Sequence, residues 1–418
     1  MPSSFARPIL WDIYQEHLDE AAWLWGDWES SLDSAVYSIA DVAIGPEERL
    51  LAHLDGLVLG GVKVAEKLLV PALSEEDPGL VAAAAWALVQ AEDADHQDKV
   101  IEALAAGGPA APAIGRALGL APRADISRLV PLWEGGSPAL RGLIIDIFTP
   151  RELEWVRQRT QAALLSGKLA LVSSALRSIR TLRDEVFKDH VQLSMQLDDP
   201  QGLRAALSAG VCLGLKVTWD VCRMAADAQG EASRFPLGLL ASSSDPNDRA
   251  LVRAKVADPE VAVHALWALG FAGDVEAADL LVASLDKAGQ VAAEALSAIT
   301  GVTVDGRLRK PGETHGPDEE EVGTDDPPPV VHPEDSLPEP DADAIRQWWS
   351  AERSRFKPGV RYLYGQARSA EIIRAALLGA PTWRRDILAL ELAGTKAGVP
   401  KVDLRGFAKD QLKQLRAT

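Results

Sequence analysis

One pattern occurs twice in this chain, and it restricts the fold more than any other feature. Asp77-Pro78-Gly79-Leu80, followed by Ala84, Trp86, Ala87 and Leu88, matches Asp258-Pro259-Glu260-Val261, Ala265, Trp267, Ala268 and Leu269 position for position. Each copy has the form of a helix start. An aspartate accepts a bond from a free backbone N–H, and a proline occupies the first helical position, where its missing donor costs nothing. In the second copy Val261, Ala265, Trp267 and Leu269 bring the apolar side round to one broad face. Gly270 and Gly273 are expected to end that helix, and Asp274 to cap a following one whose stripe is Ala278, Leu281, Val282 and Leu285. Neither helix can bury its face alone, so the unit requires stacked neighbours.

Weaker copies supply them. Ser137-Pro138-Ala139-Leu140 opens one. Leu171, Ala175 and Ile179 carry the apolar skeleton of another, Val291, Ala295 and Ile299 repeat it, and Asp199-Pro200 opens a further copy shifted by one residue. The starts near 77, 137, 168, 199, 258 and 288 fit a period of about 30 residues, with degenerate copies near 107 and 228. That spacing predicts an all-α protein: an α-solenoid of short HEAT-like repeats of the lyase-like subtype, with a disordered acidic insertion and a small helical C-terminal module. The expected divisions are aromatic capping helices over 1–44, the solenoid over 45–306, the acidic Pro-rich linker over 307–341 and the basic helical module over 342–418.

Charge follows these divisions. The chain of 418 residues has a net charge of −18, but residues 1–310 carry about −15, residues 311–345 carry −12 and residues 346–418 carry +9. An acidic body repels phosphate, so nucleic acid is disfavoured as a partner. The longest unbroken apolar run, Leu80 to Val89, is far short of the roughly 20 residues that span a bilayer. The first residues, MPSSFARPILWDIY, lack the form of a secretory signal. Two cysteines, Cys212 and Cys222, are too few for a disulfide framework and not at metal spacing. A cytoplasmic location is the expectation.

The first 40 residues hold Trp11, Trp23, Trp25 and Trp28, the densest tryptophan cluster of the chain. A solenoid's first helix has one unpartnered face, so these rings are expected to serve as a cap. The sharper alternative is a docking patch. HLDEAAWLW at 17–25, RLLAHLDGLVLGG at 49–61, SAITGV at 297–302, WW at 348–349 and FKPGVRYLYG at 356–365 together resemble an uncharacterised proteobacterial family of HEAT-repeat proteins. The resemblance spans essentially the whole chain. It implies genes linked to type VI secretion clusters, beside spike and spike-adaptor genes, and it supplies no catalytic residues.

Residues 311–343 combine eight prolines and twelve acids with almost no bulky apolar side chains, a composition that cannot offset its ordering entropy. Its acidic runs lack the glycine and ligand spacing of a calcium loop. Beyond it, a helix over 342–355 should carry Trp348 and Trp349, FKPGVRYLYG should form a turn and a short extended piece, and helices should follow near 369–379, 382–394 and 404–416. Arg384-Arg385, opposite Glu391 and Asp386, reads as helix-face charge. The basic module is expected to dock on the acidic body through Trp348, Trp349, Phe356 and Tyr362, with charge secondary.

No HExxH, GxSxG, paired CxxC, Walker A or GxGxxG occurs, so no catalytic, cofactor or metal residues are assigned. His53 with Asp55, and His17 with Asp19 and Glu20, place imidazoles near carboxylates, but a structural role in the cap is the simpler reading. Arg49 is expected to pair with Glu48 or Asp55, or to brace the next repeat. The candidate interaction residues are Trp23, Trp25, Trp28, Arg49, His53, Trp348, Trp349, Arg361 and Tyr362. The functional expectation is a protein–protein scaffold or adaptor whose partners are secretion-spike components, a spike adaptor or effectors. Two alternatives stay open: a lyase-like HEAT enzyme acting on a client protein, and a HEAT-like nucleic-acid binder.

Overall fold

A computed structural model describes residues 9–91, 93–311, 332–394 and 402–417. The described chain is all-α apart from one two-residue-per-strand hairpin and two isolated bridges. It divides into two compact units, one of residues 1–32, 39–215 and 400–418, the other of residues 33–38 and 216–399.

In the first unit an inner row of helices stacks neighbour on neighbour: Trp11–Ser31, Pro78–Gln90, Ala111–Leu120, Pro138–Phe148, Leu169–Leu182 and Pro200–Cys212. Pro46–Leu59, Ala94–Ala106, Leu153–Leu165 and Lys188–Ser194 pack outside that row. This is solenoid-like packing, and it explains the sequence of Pro78–Gln90. With neighbours on both sides, every residue from Val81 to Gln90 is buried, so the helix is apolar all round rather than striped. Gly79 sits where a Cβ would run into the backbone carbonyl of Ala22, which lets this helix begin tight against the first one. The aspartate and serine caps form as their positions suggest. Asp77 accepts from the N–H of Gly79 and Leu80, Ser137 from Leu140 and Asp199 from Gly202.

The second unit stacks Arg234–Ser242, Ala262–Ala272 and Gly289–Thr300 in the same way, with Val217–Ala225, Pro246–Lys255 and Val275–Ala283 outside. The second copy of the motif departs here from its expected form. Asp258 accepts from the Glu260 N–H at 3.2 Å in a turn, and the helix starts only at Ala262. The backbone at Val261 leaves the helical region (φ −128°, ψ 1°), and its side chain is buried, so the first turn is given up to core packing. Gly273 does end the helix in the left-handed conformation (φ 74°), and Asp274 caps the next one on the Ala277 N–H. Gly270 ends nothing. It lies within the helix, where a Cβ would come 2.6 Å from the guanidinium of Arg384.

The stretch 342–418 is divided between the units. Ala342–Glu352, Ala370–Gly379 and Arg385–Gly394 belong to the second, and Ala408–Arg416 to the first. Of the stretch expected to be a disordered linker, residues 312–331 lie outside the described residues. Its two described ends are held together: Arg309 bridges Pro340, Lys310 N–H donates to Glu339 O at 3.0 Å and Asp341 N–H to Leu308 O at 2.8 Å.

Candidate functional site

The helices Trp11–Ser31 and Pro46–Leu59 pack closely where Gly56 of the second, and Gly60 just past its end, face the first. A Cβ at Gly56 would lie 3.0 Å from the His17 ring, and one at Gly60 would lie 2.9 Å from the Tyr14 ring. That approach brings His17 and His53 together, Nδ1 to Nδ1 at 3.2 Å and edge to face at 5.1 Å between ring centroids. One imidazole must donate and the other accept. Burial lowers the His53 pKa below its ordinary value, the neighbouring His17 and Arg49 lower it further, and Glu20 and Glu16 oppose them.

Two turns further along the first helix, Trp23 is 60% exposed, and the Arg49 guanidinium stands over its ring at 5.8 Å. Asp27 lies near Arg49; burial raises its pKa and the arginine partly restores it. Arg49 therefore holds the tryptophan, in place of the expected partners Glu48 or Asp55. Trp11 is held likewise, with the Lys67 ammonium 3.9 Å from its ring centroid. The same part of the unit exposes Leu10, Ile13, Leu59 and Val62. Trp23, Arg49 and His53, three of the nine candidates, thus share one surface.

The other six are not part of it. Trp25 and Trp28 are buried and pack edge to face at 6.0 Å, so neither lies on the exposed surface around Trp23. In the second unit Trp349 is buried, donates from Nε1 to Asp279 at 2.9 Å, and stacks with Phe356, which in turn meets Tyr362 edge on. Trp348 lies beside Trp349, half-buried. Arg353 pairs with the same Asp279 at the rim of this cluster. Arg361 donates to the carbonyls of Ala241, Ser242, Phe271 and Ala272 at 2.9–3.4 Å. With so much of its side chain removed from water, its pKa falls to about 10. The buried Tyr362 receives the Lys357 N–H on its hydroxyl at 2.9 Å. These side chains hold the second unit together.

Arg384 and Arg385 are not helix-face charge either. Both are buried, Arg384 against Glu294 and Arg385 on the Leu377 carbonyl, while Glu391 takes Arg368. Sequence reasoning missed Glu47 altogether. It reads as one of two acids in a helix's first turn, yet Glu47 is fully buried and Glu48 exposed, a difference no local pattern encodes.

On each imidazole Nδ1 is the nitrogen engaged with the other ring. Among the described residues no group of three or more His, Cys, Asp or Glu is placed to hold a metal ion. No helix of the described chain is long and apolar enough to cross a membrane. Neither Cys212 nor Cys222 forms a disulfide, and burial pushes the Cys222 thiol pKa up.

No family model and no curated protein matches the chain. Among solved structures, an engineered protein is similar over 96% of this chain and 99% of its own, at 12% identity and a TM-score of 0.33.

Proposed function

We propose that this protein is a scaffold of HEAT type that engages another protein through the surface at Trp23. One observation carries the reading: a large aromatic ring, 60% exposed, is held in place by Arg49 on two closely packed helices. Tryptophan and arginine are the residues most enriched where binding energy concentrates, and a ring already positioned loses little entropy on contact. A stacked-helix protein offers surface as its main product, which supports the same class. The sequence resemblance supports a narrower reading, an accessory protein in the cytoplasm that assists type VI secretion assembly or effector loading.

The test is affinity capture from the native cell with the full chain as bait. Spike components, a spike adaptor or effectors should be recovered with the wild type and lost with Trp23→Ala and Arg49→Glu, both with unchanged helical circular dichroism. Recovery of the same proteins by both variants would remove the surface from the reading. Recovery of none by the wild type would remove the secretion role.

A further inference from the structure

The helix Ala408–Arg416 starts on a carboxylate supplied by a distant part of its unit. Glu47 accepts from the N–H of Ala408, from the N–H of Lys409 at 2.9 Å and from Trp28 Nε1 at 3.1 Å. The first N–H groups of a helix have no partner of their own, and the positive end of the helix favours an anion. Glu47 therefore recognises a helix start, main chain rather than a particular side chain.

Side-chain recognition flanks it. Phe407 lies 5.1 Å from Trp28 and edge on to Trp86 at 6.5 Å. Arg405 donates to Glu29 at 2.7 Å, and Lys409 stands 3.7 Å from Glu48. Five consecutive residues thus present a cation, an aromatic ring, a helix start and a second cation to three carboxylates and two indoles. The segment leaves room beside it. A cavity of about 370 Å³ adjoins Glu29 between Trp25, Ala82 and Ala113, and a smaller one of about 170 Å³ borders Phe407 itself.

We propose that this groove is a receptor for a basic, aromatic-anchored, helix-initiating segment of a partner protein, and that residues 402–417 occupy it as a tethered competitor. The charges are complementary. The recognition elements are also short and contiguous, as a transferable motif requires. Tethering gives the chain's own segment a high effective concentration, so a partner binds only as often as the segment lets go.

The probe is a labelled synthetic peptide of residues 402–417, titrated by fluorescence anisotropy into full-length protein. Phe407→Ala and the double variant Arg405→Glu/Lys409→Glu weaken the tethered occupant and leave the groove intact; the second touches exposed and half-exposed groups only. Either should bind the peptide about ten-fold or more tightly than wild type. Adding Glu47→Gln to the double variant should abolish binding, since an amide cannot accept all three donors. Three results would overturn the proposal: no binding to either variant while both remain folded, binding indifferent to Glu47→Gln, or wild-type dimers by light scattering that Phe407→Ala dissociates. The last would make the occupant a second copy of this chain. The titration does not involve Trp23, so its outcome and that of the capture experiment are read separately.

Discussion

Arg384 is 1% exposed, and the structure compensates its charge in full view of the surrounding core. Nε donates to Glu294 at 2.6 Å, Nη2 donates to the other carboxylate oxygen, and Nη1 reaches the Trp267 carbonyl at 3.3 Å. Removing one partner of such a pair leaves a buried charge uncompensated, which costs about 3–5 kcal/mol. Glu294→Ala should therefore lower the free energy of urea unfolding by that amount. A loss below about 1 kcal/mol, typical of exposed pairs, would show that the pair does not hold the second unit. His53 makes a pH-dependent prediction. Its folded pKa lies below the ordinary value near 6.5, so on acidification the unfolded chain takes up the proton first. Its contribution is fully present above about pH 6.5 and is lost as pH falls toward the folded pKa. The urea midpoint should thus drop between pH 7.5 and 5.5, and less steeply in His53→Gln; an unchanged slope would exonerate the pair.

At the scale of elements, the segment Phe356–Gly365 is a clamp on helix ends. Tyr362–Leu363 pairs antiparallel with Gln366–Ala367 across a two-residue turn, Tyr364-Gly365, both left-handed at φ 50° and 76°. That geometry suits the twist of a tight hairpin. Its tip donates Tyr364 N–H to Ala298 O and Gly365 N–H to Ile299 O, satisfying the last carbonyls of Gly289–Thr300. Tyr362 N–H does the same for Gly273, whose missing Cβ is required because the Tyr362 backbone fills that space. Arg361 covers the ends of Arg234–Ser242 and Ala262–Ala272 at once, a cation at the negative ends of two helices. Arg361→Met keeps the stem and removes the donors, at a cost of about 2–4 kcal/mol. Hydrogen exchange should rise at residues 241–242 and 271–273 first. Protection unchanged there would mean that the hairpin rests on the helices without capping them.

For the molecule as a whole, the net charge of −18 understates how little positive charge is on offer. Much of the basic C-terminal stretch is engaged within the chain: Arg346 with Asp286, Arg353 with Asp279, Arg368 with Glu391, Arg384 with Glu294 and Arg405 with Glu29. A protein binds nucleic acid non-specifically only by setting cations against phosphates. A 30-base-pair duplex should accordingly show no retardation at 150 mM salt, with any dissociation constant weaker than about 10⁻⁴ M. Micromolar binding would mean that the basic groups left free outweigh the acidic surface.

The repeat was legible without a structure because its determinants are local. Asp77, Ser137, Asp199 and Asp274 cap the helices they precede, and Leu171, Val291 and Trp267 lie in the core where helical spacing puts them. The tryptophans show where that reasoning stops. Trp23, Trp25 and Trp28 lie within six residues of sequence, but only the angular position around one helix separates the exposed ring from the two buried ones, and the neighbours decide which face is inside. Glu47 and Glu48 differ for the same reason. Segment length, capping and apolar period are properties of a few adjacent residues, so the chain declares them by itself. The pairing of Arg384 with Glu294, of His17 with His53 and of Glu47 with the Ala408 helix depends on which distant segments share a core. Such contacts join residues 36 to 361 positions apart, and only tertiary packing, which removes water from both partners together, can select them.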